Sequence, residues 1–257
     1  MKTASDVACI RRAASVVSLV LAHVREAVAP GRTTSDVESE CASLLSRHNA
    51  RSSQESTGGF PGAVCVSVNN VAAHGVPSRY RLENGDIVTV DVTSCVDGWY
   101  ADGAWTYIVG AGDETTMRLL EAAWKCSQSG VRAARAGSRL GDIGAAIQET
   151  ARKLGCTILG EFAGHGIGRR IHEPPVVYHV GEKDSGLPIV PGMVFTIEPI
   201  VCFGGSATIL QPDGWSYETS DGSRSAQFEH TVAIFGRRTE NLTLPEFGEH
   251  IDFPPFF

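Results

Sequence analysis

The sequence predicts an α+β fold in which helices cover a curved antiparallel sheet built from two related halves. Three observations carry this. Val88, Val90 and Val92 alternate with Thr89, Asp91 and Thr93, the period-two pattern of a strand with one apolar and one polar face. Val7, Ile10, Ala14, Val17, Leu21 and Val24 recur three and four residues apart, the stripe of an amphipathic helix. The third is a repeat. Gly31 and Asp36 match Gly137 and Asp142 at an offset of 106 residues, and Gly85 and Asp91 match Gly192 and Glu198 at an offset of 107. Solenoid units run roughly 20 to 50 residues, so a period this long marks an internal duplication.

One domain over 1–257 is expected, with halves at about 6–110 and 114–236 and a tail over 244–257. The 42% hydrophobic and 20% charged residues make an ordinary globular composition, able to bury a large core. A net charge of -7 without basic clusters excludes a nucleic-acid surface, which needs concentrated Lys and Arg. The 7 cysteines are scattered without CxxC spacing, which argues for reduced thiols in a cytoplasmic protein and against a disulfide framework or structural zinc. The apolar run Ala13 to Ala22 is too short to cross a bilayer, and no membrane partner is expected. With Arg11 and Arg12 before it and Ala27-Val28-Ala29 after it, the run imitates a signal peptide. Arg25, Glu26 and Pro30 surround the would-be cleavage site, and the segment has a counterpart later in the chain, so it reads as a structural helix.

In order, Asp6 to Val28 is the first helix, ended by Pro30-Gly31. Thr34 or Ser35 caps a second helix through about His48, with Val37, Cys41, Leu44 and Leu45 inside. Ser52 to Gly62 is a Gly-, Ser- and Thr-rich loop, Ala63 to Val71 a strand, and His74-Gly75-Val76-Pro77 a turn. The Asp86 to Thr93 strand and a run of aromatic and β-branched residues from Trp105 to Val109 flank a Val-Asp-Gly turn and form a hairpin. From Glu114 the order repeats: a helix over Thr116 to Ala136, a helix over Asp142 to Leu154, a strand-like Thr157 to Phe162, and a hairpin after Gly192. Joined edge to edge, the halves share one polar inner face.

Asp91 and Asp102 stand on neighbouring strands of the hairpin. Taken alone, the pair also fits two solvated strand-end carboxylates. Like charges in a partly buried site cannot both stay ionised cheaply, and a divalent cation between them is the usual remedy. By the repeat, Glu198 faces Asp91, and Glu229 in SAQFEHTVAIF takes the part of Asp102. His165 lies in GEFAGHGIGRRIHEPP, where Gly164, Gly166 and Gly168 let backbone pass close to a ligand. Four acids and one imidazole form an oxygen-rich set able to hold two divalent ions.

From Asp6 to about Leu244 the chain resembles the type I methionine aminopeptidases of the pita-bread fold. The likeness rests on NNVAAHGVP, GDIVTVDVT, DGWYADGAWTYIVG, GHGIGRRIHEPP, MVFTIEP, DGW and SAQFEHT, in the family's order. Neither an N-terminal zinc-binding extension nor the insertion of the type II branch is expected. The resemblance implies two divalent ions, cobalt, manganese, iron or zinc, with Asp91 chelating one, Asp102 and Glu229 bridging both, and His165 and Glu198 completing the other. It implies hydrolysis of the N-terminal methionyl bond of a peptide or nascent protein by metal-activated water, with Glu198 shuttling the proton. His172 would bind the scissile carbonyl or its oxyanion and His74 the leaving-side amide. A monomer is expected.

The implied methionine pocket consists of Phe60, Cys65, Ile171 and Trp215, with His74 at its edge. Gln54 and Thr57 depart from the pattern, which commonly has a small or sulfur residue and an aromatic there. Ile171 replaces the usual Phe, and Gly103 a usual Ser or Thr. Hydrolysis is therefore better supported than strict methionine preference. A specialised paralogue, a proline-type peptidase and a non-catalytic binding module of the same fold are the alternatives.

Overall fold

Each half opens on a pair of helices and continues into antiparallel strands, in the computed structural model, which describes residues 1–54 and 59–244. Thr57 and tail residues 245–257 lie outside the described residues. In the first half α1 (Ala4–Val24) and α2 (Thr34–Arg47) lead through β1 (Arg51–Ser52), β2 (Cys65–Val68) and β3 (Val71–Ala73) to the long hairpin of β4 (Ile87–Val96) and β5 (Trp99–Ile108). The second half runs α3 (Glu114–Ala133), α4 (Leu140–Leu154), β6 (Thr157–Ile158), β7 (Ala163–Gly166), β8 (Glu173–Tyr178), β9 (Val194–Ile197) and β10 (Ile200–Cys202). It closes with β11 (Thr208–Leu210), β12 (Tyr217–Thr219), β13 (Ser225–Gln227), β14 (His230–Ile234) and β15 (Thr239–Asn241).

The repeated landmarks have physical causes. Gly31, Gly85, Gly137 and Gly192 have φ of 83°, 93°, 94° and 90°, a conformation that penalises a Cβ. Asp36 and Asp142 each accept the backbone N–H of the residue that caps their helix, Thr33 and Arg139, at 2.7 Å. A hairpin turn at Asp97-Gly98 uses two left-handed residues, as the twist of paired strands requires.

Boundaries differ from the sequence reading where turns override periodicity. α1 stops at Val24 rather than Val28, although Ala27 and Val28 stay buried in the turns that follow. Thr33 caps α2 instead of Thr34 or Ser35, whose hydroxyls donate to the Ser78 carbonyl. The strand expected over 63–71 breaks at Asn69, which is left-handed at φ 56°. The strand expected over 157–162 shortens to Thr157–Ile158 as Phe162 N–H turns back to the Leu159 carbonyl.

Among the described residues the strands form four ladders, β1-β4-β2 with β5 on β4, β13-β10-β6, β11-β12-β3 and β15-β14-β9-β7-β8. What makes them one layer is the seam between the halves, where β5 runs antiparallel to β13 and β14. At its centre Glu229 N–H donates to the Ala104 carbonyl at 2.9 Å. On one side the Thr231 hydroxyl accepts Asp102 N–H at 3.1 Å and donates to its carbonyl at 2.7 Å. On the other the Thr106 hydroxyl does the same for Gln227, at 2.9 and 2.7 Å. One threonine from each half thus bridges the edge symmetrically, and buried backbone groups stay paired.

α1 packs on β4 and β5, and α3 on β10 and β13, with α2 and α4 beside them. Phe228 meets Trp105 and Trp124 edge-on behind the seam, at 5.0 and 5.5 Å, and the two Trp rings lie tilted against each other at 5.3 Å. Burying Phe228 alone, fully enclosed there, contributes roughly 1.5–3 kcal/mol. α1 is 21 residues long and apolar enough to cross a membrane by length and composition, but its apolar side, from Val7 to Val24, is buried in this core.

Candidate metal centre

The acids meet because the fold puts them in one row across the sheet. Asp91 is paired with Ala104, and Ala104 bonds Glu229 across the seam. The ladders on either side, His230↔Ile197 and Ile200↔Gln227, set Glu229 opposite Glu198. Register partners point to the same face, so Asp91, Glu229 and Glu198 share it, with Asp102 two residues along β5 from Ala104. Glu198 and Glu229 sit where the strands are interrupted, between β9 and β10 and between β13 and β14. The second hairpin is therefore broken at its acids, whereas the first is continuous.

β7 supplies the imidazole. His165 Nε2 stands 3.7 Å from Asp102 Oδ2 and 3.8 Å from Glu198 Oε1, and ligand atoms of Asp102, His165 and Glu229 lie within 4.8 Å of one another. His165 Nδ1 donates to the Gly166 carbonyl at 3.1 Å, which leaves the Nε2 lone pair aimed at the carboxylates. Gly164 permits this approach, since a Cβ there would sit 2.3 Å from the Thr196 carbonyl oxygen.

Burial without neighbouring cations sets the protonation. It pushes Asp91 up to about 7 and Glu198 up to about 8. Asp102 and Glu229 are raised well above the usual carboxylate range, first by burial and then by the neighbouring acids, Asp91 and Glu198 for Asp102, and Asp102, Glu198 and Asp91 for Glu229. Burial, helped by His172, lowers His165 to about 4. Asp102 Oδ1 is buried without a hydrogen-bond partner. An orphaned carboxylate oxygen, crowded acids and one neutral imidazole suit a borderline-hard divalent cation such as manganese, iron, cobalt or zinc.

A cavity of about 470 Å³ opens over these groups, lined by all five of them and by Gln54, Phe60, Cys65, His74, Ile171, His172 and Trp215. Phe60 and Trp215 meet edge-on at 5.5 Å, and Cys65 pairs with Asp91 across β2 and β4, continuing the acidic row. His74 has φ 53°, uncommon for a residue with a side chain and typical of functional turns. Gly75 follows because a Cβ there would meet Val66 O at 2.5 Å. The His165 and His172 rings touch edge-on at 4.4 Å. Burial lowers His74 and His172 as well, so both are neutral donors near neutral pH. A groove of about 540 Å³ along α1 is larger, but Arg11 and Glu240 are the charged groups in its wall and they pair with each other.

Several supporting contacts escaped the sequence reading. The Thr196 hydroxyl donates to Glu198 Oε1 at 2.6 Å and accepts His165 N–H at 2.9 Å, joining two of the five groups. Thr196 stands two residues before Glu198 as Thr89 does before Asp91, yet Thr89 bonds Thr106 instead. His179, fully buried and lowered to about 4 by its burial, accepts Glu198 N–H at 3.1 Å. Gln54 Nε2 donates to Asp91 O and Oδ1 at 3.3 and 3.4 Å, and Gln54 Oε1 is buried without a partner. Gly103 has a packing reason, because a Cβ there would come 3.0 Å from Val17 Cγ1 of α1. His230, beside Glu229, points the other way into Trp105 and Trp124.

Residues 8–235 match metallopeptidase family M24. The chain is 40% identical over 238 residues to methionine aminopeptidase A of Synechocystis sp., covering 92% of this chain and 94% of that one. It is 37% identical over 255 residues to a methionine aminopeptidase of Rickettsia prowazekii, covering 99% and 98%. The crystal structure of the methionine aminopeptidase from Rickettsia prowazekii superposes with a TM-score of 0.93 at 38% identity, over 95% of this chain and 99% of that one. A prolidase from Pyrococcus furiosus shares the fold, with a TM-score of 0.75 at 22% identity over 96% of this chain and 66% of that one.

Proposed function

This chain belongs to metallopeptidase family M24, a family of hydrolases, and from that premise we propose that it removes N-terminal methionine from peptides or nascent proteins. The observation that carries the reading is the row of acids closed by His165. Asp91, Asp102, His165, Glu198 and Glu229 would hold two divalent ions, Asp91 on one, His165 and Glu198 on the other, and Asp102 and Glu229 on both. Divalent ions bound there would supply a Lewis acid for the peptide carbonyl and an activated water.

The protein's own groups do the rest. Glu198 would take the proton of the attacking water and pass it to the departing amine, as a ligand that shuttles rather than as a free base. Neutral His172 donates to the carbonyl oxygen as charge develops on it, and neutral His74 bonds the leaving-side amide. Phe60, Cys65, Ile171 and Trp215 form an apolar slot for the first side chain. A cytoplasmic monomer fits this role. Gln54 favours a second reading, a paralogue with another preferred first residue, because a buried carboxamide acceptor borders the same cavity.

Hydrolysis of Met-Ala-Ser by the full chain loaded with manganese, iron, cobalt or zinc in turn is the test. Release of methionine supports the leading reading. Efficient cleavage of other first residues in a peptide panel selects the paralogue, and cleavage confined to X-Pro peptides rejects both.

A further inference from the structure

We propose that Val176 and Tyr178 form a docking strip for the part of the peptide downstream of the scissile bond, an inference that rests on the aminopeptidase reading above. An enzyme that removes one residue buries that residue and must let the rest of the chain leave through the mouth of the cavity. Whatever lines that mouth meets the peptide on every turnover. β8 does so here. Val176 borders the cavity and is nonetheless 52% exposed, and Tyr178 on the same strand is 58% exposed. Val177 between them is fully buried, so Val176 and Tyr178 share the outward face.

The geometry suits an extended peptide. Alternate side chains on a strand are about 6.6 Å apart, the same interval at which alternate side chains of an extended substrate recur. β8 ends the ladder β15-β14-β9-β7-β8, so no described strand covers its outer side. The strand is also held in place: Glu173 at its start accepts Arg169 and Arg170 N–H at 2.7 and 3.0 Å, and Lys2 pairs with it at 2.5 Å. Two large apolar side chains held in water on a fixed strand, continuous with the site, fit a substrate with apolar residues two to four places beyond the cleaved bond.

The test compares three substrates with the metal-loaded full chain: Met-Ala-Ser, Met-Ala-Leu-Gly-Phe-Ser and Met-Ala-Ser-Gly-Ser-Ser. The expected result is a KM about 5- to 10-fold lower for the Leu-Gly-Phe hexapeptide than for the Ser-Gly-Ser one, the effect of covering roughly half of each exposed side chain. In Tyr178→Ser that ratio falls towards one, and in Val176→Ser it falls part of the way. Both positions are exposed, so the variants should fold, which melting curves check. Hydrolysis of Met-Ala-Ser with equal KM for both hexapeptides overturns the docking strip while leaving the aminopeptidase reading intact. A ratio that persists in both variants also overturns it. No hydrolysis of any of the three sinks the reading and the strip together. If the wild type self-associates and Tyr178→Ser does not, the strip belongs to a second copy of the chain and the inference fails.

Discussion

Asp102 concentrates the consequences of the site in one side chain. It is 5% exposed, lies 3.7 Å from His165 and has an oxygen with no partner. Removing a supporting outer residue of a metal centre typically costs about 10–100-fold in affinity, and Asp102→Ala removes a ligand of the proposed pair. We expect a loss of metal affinity of at least about 100-fold by titration calorimetry, with the fold retained by circular dichroism. Undiminished metal binding in Asp102→Ala contradicts the assignment. The pH dependence follows from the same burial. Asp91 and Glu198, near about 7 and about 8, hold protons in the folded metal-free chain that the unfolded chain has already released. His165, His179 and His230, lowered by burial to about 4, about 4 and about 3, act oppositely, chiefly below the ordinary imidazole value of about 6.5. Between about pH 6.5 and 8 the opposing histidine contribution fades and the acids outweigh it, so the folded state binds the more protons and stability falls as pH rises. Denaturant midpoints of chelated protein should decline across that window, with a shallower decline in Glu198→Gln. Metal affinity should rise over the same interval, because each ion displaces protons.

Elements meet at the seam, and its threonines are the joint. Thr231 satisfies both backbone groups of Asp102 inside the sheet. Valine has the same shape without the hydroxyl, so Thr231→Val leaves an N–H and a carbonyl buried and unpaired. An orphaned group of this kind costs about 1–3 kcal/mol. We expect Thr231→Val to lower stability by at least that much in denaturant titration and to weaken metal binding too, since the orphaned backbone belongs to Asp102. Thr106→Val should cost similar stability through Gln227. Its effect on the metal should be smaller, because Gln227 is not one of the five groups. Equal loss of metal affinity in the two variants would show that the seam acts only through global stability.

For the whole molecule, the site is a clasp between the halves. Asp91 and Asp102 come from the first, and His165, Glu198 and Glu229 from the second. An ion bound to both sets favours the closed arrangement and binds the folded state alone. At a metal concentration 100 times its dissociation constant the gain is about 2.7 kcal/mol. Chelation should therefore lower the melting temperature of the full chain, and readdition should restore it. An unchanged melting curve would mean that the five groups hold no ion tightly enough to matter.

The chain by itself determined the doubled architecture, because its cues are local. Glycines with φ between 83° and 94° and aspartates that reach back to a helix cap recur wherever the backbone turns the same way. The period-two valines and the four acids at matching positions were readable for the same reason. Boundaries were less so, since α1 ends at Val24 while its apolar pattern continues into turns. The contributions of Thr196, Thr231, His179 and Gln54 arise from hydrogen bonds between residues 31, 129, 19 and 37 positions apart. No pattern in the sequence encodes such pairs. Folding decided the row itself, because only the edge-to-edge register of β5 with β13 and β14 sets Glu229 beside Asp91 and turns scattered acids into one electrostatic site.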